Sequence, residues 1–227
     1  MFDVSHLVTH RRGFLGRIAA GAAALTVGGA GVKPREALAE LPLRSPADPQ
    51  FSAWLAKMNG KHKMVFDVPA PNGGFAFAWA RVFLNTANDQ YGTTDADNTA
   101  VIVLRHSGIP LGMQSPMWAK YKWGEFLKVN DGDAPATRNL WVDAKPGELP
   151  LPGMAVPELL AKGVLIGICN VALTVYSGIV AKKMGLQADA VKQEWVANLV
   201  PGIQVVPSGV IAVSGAQEKG CGYCFGG

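Results

Sequence analysis

Four short apolar runs recur along the chain, and their spacing constrains the fold more than any other feature. They are "KHKMVFDV" (61–68), "TAVIVLRH" (99–106), "VLIGI" (164–168) and "IQVVP" (203–207). Each is rich in β-branched residues and largely apolar on both sides, as strands are when helices cover both faces of their sheet. Stretches of helical character separate them. "FAFAWARVFLNTAND" (75–89) opens after two glycines and closes on Asn and Asp, and "SPMWAKYKWGEFLKV" (115–129) carries Pro116 in its first turn. "NVALTVYSGIVAKKMG" (170–185) ends in two lysines and Gly185, a usual stop. "DAVKQEWVANLV" (189–200) sets Val191, Trp195 and Leu199 on one face, and "SGVIAVSGAQEKG" (208–220) offers Ser208 as an N-cap. Short helices fit residues 51–57 and 155–163, and "CGYCF" (221–225) fits a short final strand. Strand and helix in alternation predict an α/β fold: a single domain with a mostly parallel, roughly five-stranded sheet covered by helices on both faces. With 227 residues, 49% hydrophobic and 17% charged, the chain is long enough for one well-buried core.

Two segments complicate this pattern. Residues 130–153, "NDGDAPATRNLWVDAKPGELPLPG", are rich in Gly, Pro, Asp and Asn and too long for an ordinary connection. A lid, an insertion and a disordered flap are all open readings for them. "GVLIGICNVALTVYSGIVA" (163–181) has the length and the uncharged character of a membrane span. Its interior polar residues and three glycines favour a buried strand running into a helix.

The formal charge is +4, but it sits mostly in the first 39 residues. Removing Arg11, Arg12, Arg17, Lys33, Arg35, Asp3 and Glu36 leaves 16 basic and 15 acidic residues. No basic stripe remains that would suit nucleic acid. The same leader has Arg11-Arg12 ahead of Phe14-Leu15, a weakly apolar Gly/Ala-rich run, and Ala37-Leu38-Ala39. That order reads as a twin-arginine export signal spanning 1–39, cleaved after Ala39. Residues 40–60 then form an N-terminal extension and 61–227 the domain. The expectation is a periplasmic protein exported by the Tat pathway, with no transmembrane segment in the mature chain.

An exported chain meets oxidants, which bears on its three cysteines. Cys169 follows the third strand and precedes a helix, where ligands bind in parallel sheets and where a helix N-terminus favours thiolate. It also suits a small buried hydrophobe. Cys221 and Cys224 are in C-x-x-C spacing, but only Phe225-Gly226-Gly227 follow, so a thioredoxin-type helix has no room. Three readings stand for the pair: a structural or redox-active disulfide, a mobile thiol arm reaching Cys169, or half of a Cys/His metal site. His106 ends the second strand, where it either tunes a thiol or caps the strand. His62 starts the first strand between two lysines. Asp131 and Asp133 lack calcium-loop spacing, and no G-x-G-x-x-G or Walker motif occurs, so no nucleotide, cofactor or metal is assigned.

"GVLIGICNVAL", followed by "LVPGIQVVPSGVIAVSGAQEKGCGYCF", resembles the DsrE/DsrF-like family of sulfur-relay proteins. The features are a strand ending in Cys169, then "VVPSGV", a helix with Gln217 and Gly220, and a terminal strand carrying an aromatic. Upstream, "VIVLRHSGIPL" is similar to the family's second strand and turn. The resemblance implies a flavodoxin-like domain in homo-oligomers, with a protein partner as sulfur donor or acceptor. It also places Cys169 at the position that accepts sulfur as a persulfide. Cys169, Cys221 and Cys224 are therefore the candidate catalytic residues: the first carries sulfane sulfur, and the pair serves as redox or structural partner. Two alternatives are carried along: a non-enzymatic oligomeric binding module with a C-terminal disulfide, and a Cys/His metal carrier.

Overall fold

The apolar runs become strands β1 (His62–Val68), β2 (Asn98–Leu104), β5 (Leu165–Cys169) and β6 (Gln204–Val206), joined by β7 (Gly222–Phe225). The computed structural model describes residues 48–227; the leader, its cleavage after Ala39 and the start of the extension lie outside the described residues. The five strands form one parallel sheet in the order β6-β5-β2-β1-β7. A minute antiparallel pair, β3 (Asn130–Asp131) and β4 (Ala134–Pro135), stands apart. The helices are α1 (Pro49–Ala56), α2 (Phe75–Tyr91), α3 (Ser115–Tyr121), α4 (Trp123–Leu127), α5 (Val156–Ala161), α6 (Asn170–Met184), α7 (Ala188–Ala197) and α8 (Gly209–Glu218). This is a flavodoxin-like α/β architecture, as the alternation predicts.

Handedness distributes the helices. Successive right-handed crossovers from β1 to β2, β5 and β6 travel one way along the sheet and keep their helices on one face. The return from β6 to β7 passes over the intervening strands, so α8 lies on the other face. Two apolar clusters record this. Phe66, Ile102, Leu104, Ile166 and Ile168 pack with Phe77, Leu159, Leu173 and Trp195 on the first face. Val65, Val101, Val103 and Val206 pack with Trp54 of α1 and Ala212 and Ala216 of α8 on the second. Small residues let α8 approach closely, since a Cβ at Gly215 would stand 3.0 Å from Leu55. The predicted face of α7 is buried, with Trp195 at its centre.

The candidate membrane span resolves into β5 and α6, and among the described residues no helix is long and apolar enough to cross a membrane. The single helix expected over 115–129 is broken. Lys122 adopts a left-handed conformation (φ 53°) between α3 and α4. The break brings the backbone of Gly124 against that of Ala136, so closely that a side chain at 124 would collide.

That contact introduces the 130–153 segment, which is built into the core. Ala136, Trp141 and Met154 are buried in the larger cluster. Asn139 is fully buried; its amide donates to the carbonyls of Leu111 (2.9 Å) and Met113 (2.7 Å) and its oxygen accepts from the Trp141 N–H (3.1 Å). Arg138 bridges Asp131 and Glu148. The Arg138 guanidinium holds the Glu148 carboxyl down at about 2, and Lys61 does the same for Asp97. Folded-state values below the unfolded ones mean that these carboxylates add stability above the unfolded range, which is lost as pH falls toward 2. The melting temperature is expected to hold from about pH 7 to 5 and to fall below about pH 4. Arg138→Gln should melt lower at neutral pH but lose less on acidification; parallel thermal melts check both.

A thiol beside a buried ion pair at the carboxyl edge of the sheet

Cys169 is the last residue of β5 and the N-cap of α6. The Ala172 N–H donates to its Sγ at 3.3 Å. A side-chain acceptor is what the first turn of a helix requires. Cys169 is 5% exposed.

The neighbouring strand supplies a cation. Leu104 pairs with Ile168 across β2 and β5, so Arg105, one residue further along, comes level with Cys169. Arg105 and Cys169 thus end adjacent strands at the carboxyl edge of the sheet. The Arg105 Nε and Nη2 donate to the two carboxylate oxygens of Asp67 at 2.6 and 2.8 Å, a bidentate pair. Asp67 is 4% exposed, on the second face of β1. The Tyr223 hydroxyl on β7 donates to the same Asp67 oxygen as Nη2, at 3.0 Å. Hydrogen bonding to Asp67 pushes the Arg105 pKa above its ordinary value, and burial followed by Asp67 does the same for Tyr223.

The stem of Arg105 is held as firmly as its head. Its main-chain N–H donates to the Val68 carbonyl at 3.0 Å. Gly209, the first residue of α8, backs the side chain: a Cβ there would stand 2.6 Å from the Cβ of Arg105. Ser208 caps α8 as expected, accepting from the Ile211 N–H at 3.2 Å. Cys169, Arg105, Asp67 and Tyr223 therefore stand on four successive strands of the sheet, stepping back from the carboxyl edge toward Tyr223, which pairs with Val65.

His106 shares this edge, but in a left-handed conformation (φ 50°) with its ring edge-on to Tyr176 at 5.5 Å. Its described hydrogen-bond contact is with Ser107 at 3.4 Å, not with the thiol. Burial pushes the Tyr176 hydroxyl up to about 12. His62, at the start of β1, stacks on Tyr91 at 3.8 Å.

The other two cysteines lie elsewhere. Gly222 pairs with Met64 and Cys224 with Phe66, so Cys221 sits toward the amino edge, away from Cys169. Cys221 is buried in the smaller cluster under α8, which raises its pKa, whereas Cys224 packs toward the larger cluster. The two thus serve opposite faces. Three residues of extended chain span about 10 Å, and a disulfide needs Cα atoms within about 7 Å. All three cysteines are free. No group of three His, Cys, Asp or Glu side chains suited to a metal occurs among the described residues.

Arg105, Asp67 and Tyr223 carry much of this site, and none stood out in the sequence. The available signal was Asp67, an acid inside an apolar strand, which needs a buried partner. The sheet edge defines the class: an α/β protein with a helix-capping thiol and, on the adjacent strands, a partly buried ion pair. No family profile and no curated protein matches the chain.

Proposed function

We propose that the chain is an exported sulfur-handling protein of the DsrE/DsrF-like type, carrying sulfane sulfur on Cys169. The observation that carries the reading is the thiol's placement: Sγ accepts the Ala172 N–H in the first turn of α6, with Arg105 level with it on the adjacent strand. Backbone N–H donors and a cation on the adjacent strand are the surroundings in which nucleophilic thiols are found. The thiolate attacks the outer sulfur of a donor R–S–S⁻. A new S–S bond forms on Cys169, the donor's bond breaks, and its electron pair leaves with R–S⁻, so no external oxidant is needed. Passing the sulfur on reverses these steps with an acceptor thiolate. Within this reading Cys221 and Cys224 act after β7 leaves its ladder with β1, because the strand separates them.

The test is the intact mass of protein recovered from the cell envelope, before and after exposure to inorganic polysulfide, with peptide mapping of each cysteine. The expected result is a chain lacking residues 1–39 that gains sulfur at Cys169, with Cys169→Ser gaining none there. Sulfur confined to Cys221 or Cys224, or none at all, would sink the reading.

One observation favours a second reading, an oligomeric binding module. Val210, Ile211, Tyr223 and Phe225 expose apolar surface on α8 and the edge strand. An unreactive Cys169 in the same experiment leaves that reading standing.

A further inference from the structure

We infer that the site selects a small sulfane-sulfur dianion, of the inorganic polysulfide or thiosulfate kind, and that Arg105, positioned by Asp67 and Tyr223, selects it. This rests on the reading of Cys169 as the sulfur-carrying thiol.

Size follows from burial. At 5% exposure, Cys169 admits a reagent only a few atoms across, whereas a disulfide presented on a folded partner would require the edge to open. Charge follows from the guanidinium. Asp67 takes Nε and Nη2, and among the described residues Nη1 makes no hydrogen bond. The Arg105 side chain is 30% exposed, so its head reaches solvent at the sheet edge that also holds Cys169. Gly209 of α8 lies against the stem and keeps it from swinging toward that helix. Tyr223 completes the device. By donating to Asp67 it draws part of the carboxylate's charge, leaving the guanidinium's near edge less compensated.

The chemistry needs such a donor. When a thiolate attacks the sulfane sulfur of thiosulfate, a monoanion meets a dianion. The S–S bond of thiosulfate breaks, its electron pair leaves with sulfite, and Cys169 retains a persulfide monoanion. Three negative charges are present on each side of the step. They are most crowded in the transition state, where the Nη1 donor is of most use.

The test compares alkylation of Cys169 by iodoacetate, an anion, with that by iodoacetamide, its neutral analogue. Peptide mass separates Cys169 from the other two thiols. Wild-type protein at low salt should favour iodoacetate more than a model thiol does, and salt should erase the preference. Asp67→Asn/Arg105→Gln, which replaces the ion pair with an amide pair, should lower the rate ratio about fivefold. Tyr223→Phe removes only a hydroxyl from a residue 47% exposed, so it should fold normally and lower the ratio about twofold. If Cys169 takes sulfur from polysulfide but neither variant moves the ratio, the role of Arg105 is overturned and the thiol reading survives. If Cys169 takes sulfur only from a protein persulfide, the small-anion class is overturned. If it takes neither sulfur nor alkyl, both readings fall.

Discussion

Gly74→Ala is expected to destabilise the protein by about 3–5 kcal/mol, a large share of a domain's stability. Two costs combine. Gly74 has φ 72°, in the left-handed region, which costs a residue with a Cβ about 1–2 kcal/mol. The larger cost is steric, because a Cβ at 74 would overlap the Trp141 indole. That indole is buried and anchors the 130–153 segment to the N-terminus of α2. Displacing it opens the core that α3, α4 and the insertion share. Gly92→Ala is the control. Gly92 also has a positive φ, 63°, but nothing lies within 4 Å of its Cβ position. It should cost only about 1 kcal/mol. Urea unfolding of the two variants separates backbone strain from the indole's cradle, and equal midpoints would refute the cradle.

The second large effect belongs to the ion pair. Arg105→Met strands the Asp67 carboxylate, 4% exposed, with Tyr223 as its remaining described side-chain donor. Removing one partner of a buried pair costs about 3–5 kcal/mol, and the partial exposure of Arg105 lowers the expectation here to about 2–4 kcal/mol. Replacing both partners is a different matter. Asp67→Leu/Arg105→Met exchanges a desolvated pair for apolar contacts of similar volume and should recover most of the loss. A double-mutant cycle at neutral pH measures the difference as a coupling energy. A double variant as unstable as the sum of the singles would mean that the pair contributes nothing by its pairing. The stable double variant should also show no preference for anionic reagents at Cys169. That outcome would mean the pair is retained for the thiol's sake rather than for stability.

Much of the fold can be read locally. Unbroken apolar runs require strands covered on both faces, and Ser208, Gly185 and Lys182-Lys183 mark helix ends by chemistry that acts within a turn. The junction at Cys169 is local too, since a strand ending where a helix begins makes that residue the cap. The same period of two decides the C-terminal pair, because residues three apart in a strand face opposite sides. The spacing that suggests a reactive dithiol thus separates the thiols once the chain runs extended from Cys221 into β7.

The sequence by itself determined which segments are strands, that the sheet is parallel, and that a thiol stands where β5 meets α6. Local period and capping chemistry suffice for these. Only the tertiary structure decided what surrounds that thiol. Asp67 meets Arg105 across 38 residues and Tyr223 across 156. Strand order makes both meetings, and strand order is set by crossover handedness and by which faces must be buried together, neither of which leaves a periodic trace. The break at Lys122 and the burial of the 130–153 segment have the same origin: close backbone approaches at Gly124 and Gly74 that reward one global packing and are invisible to any local pattern.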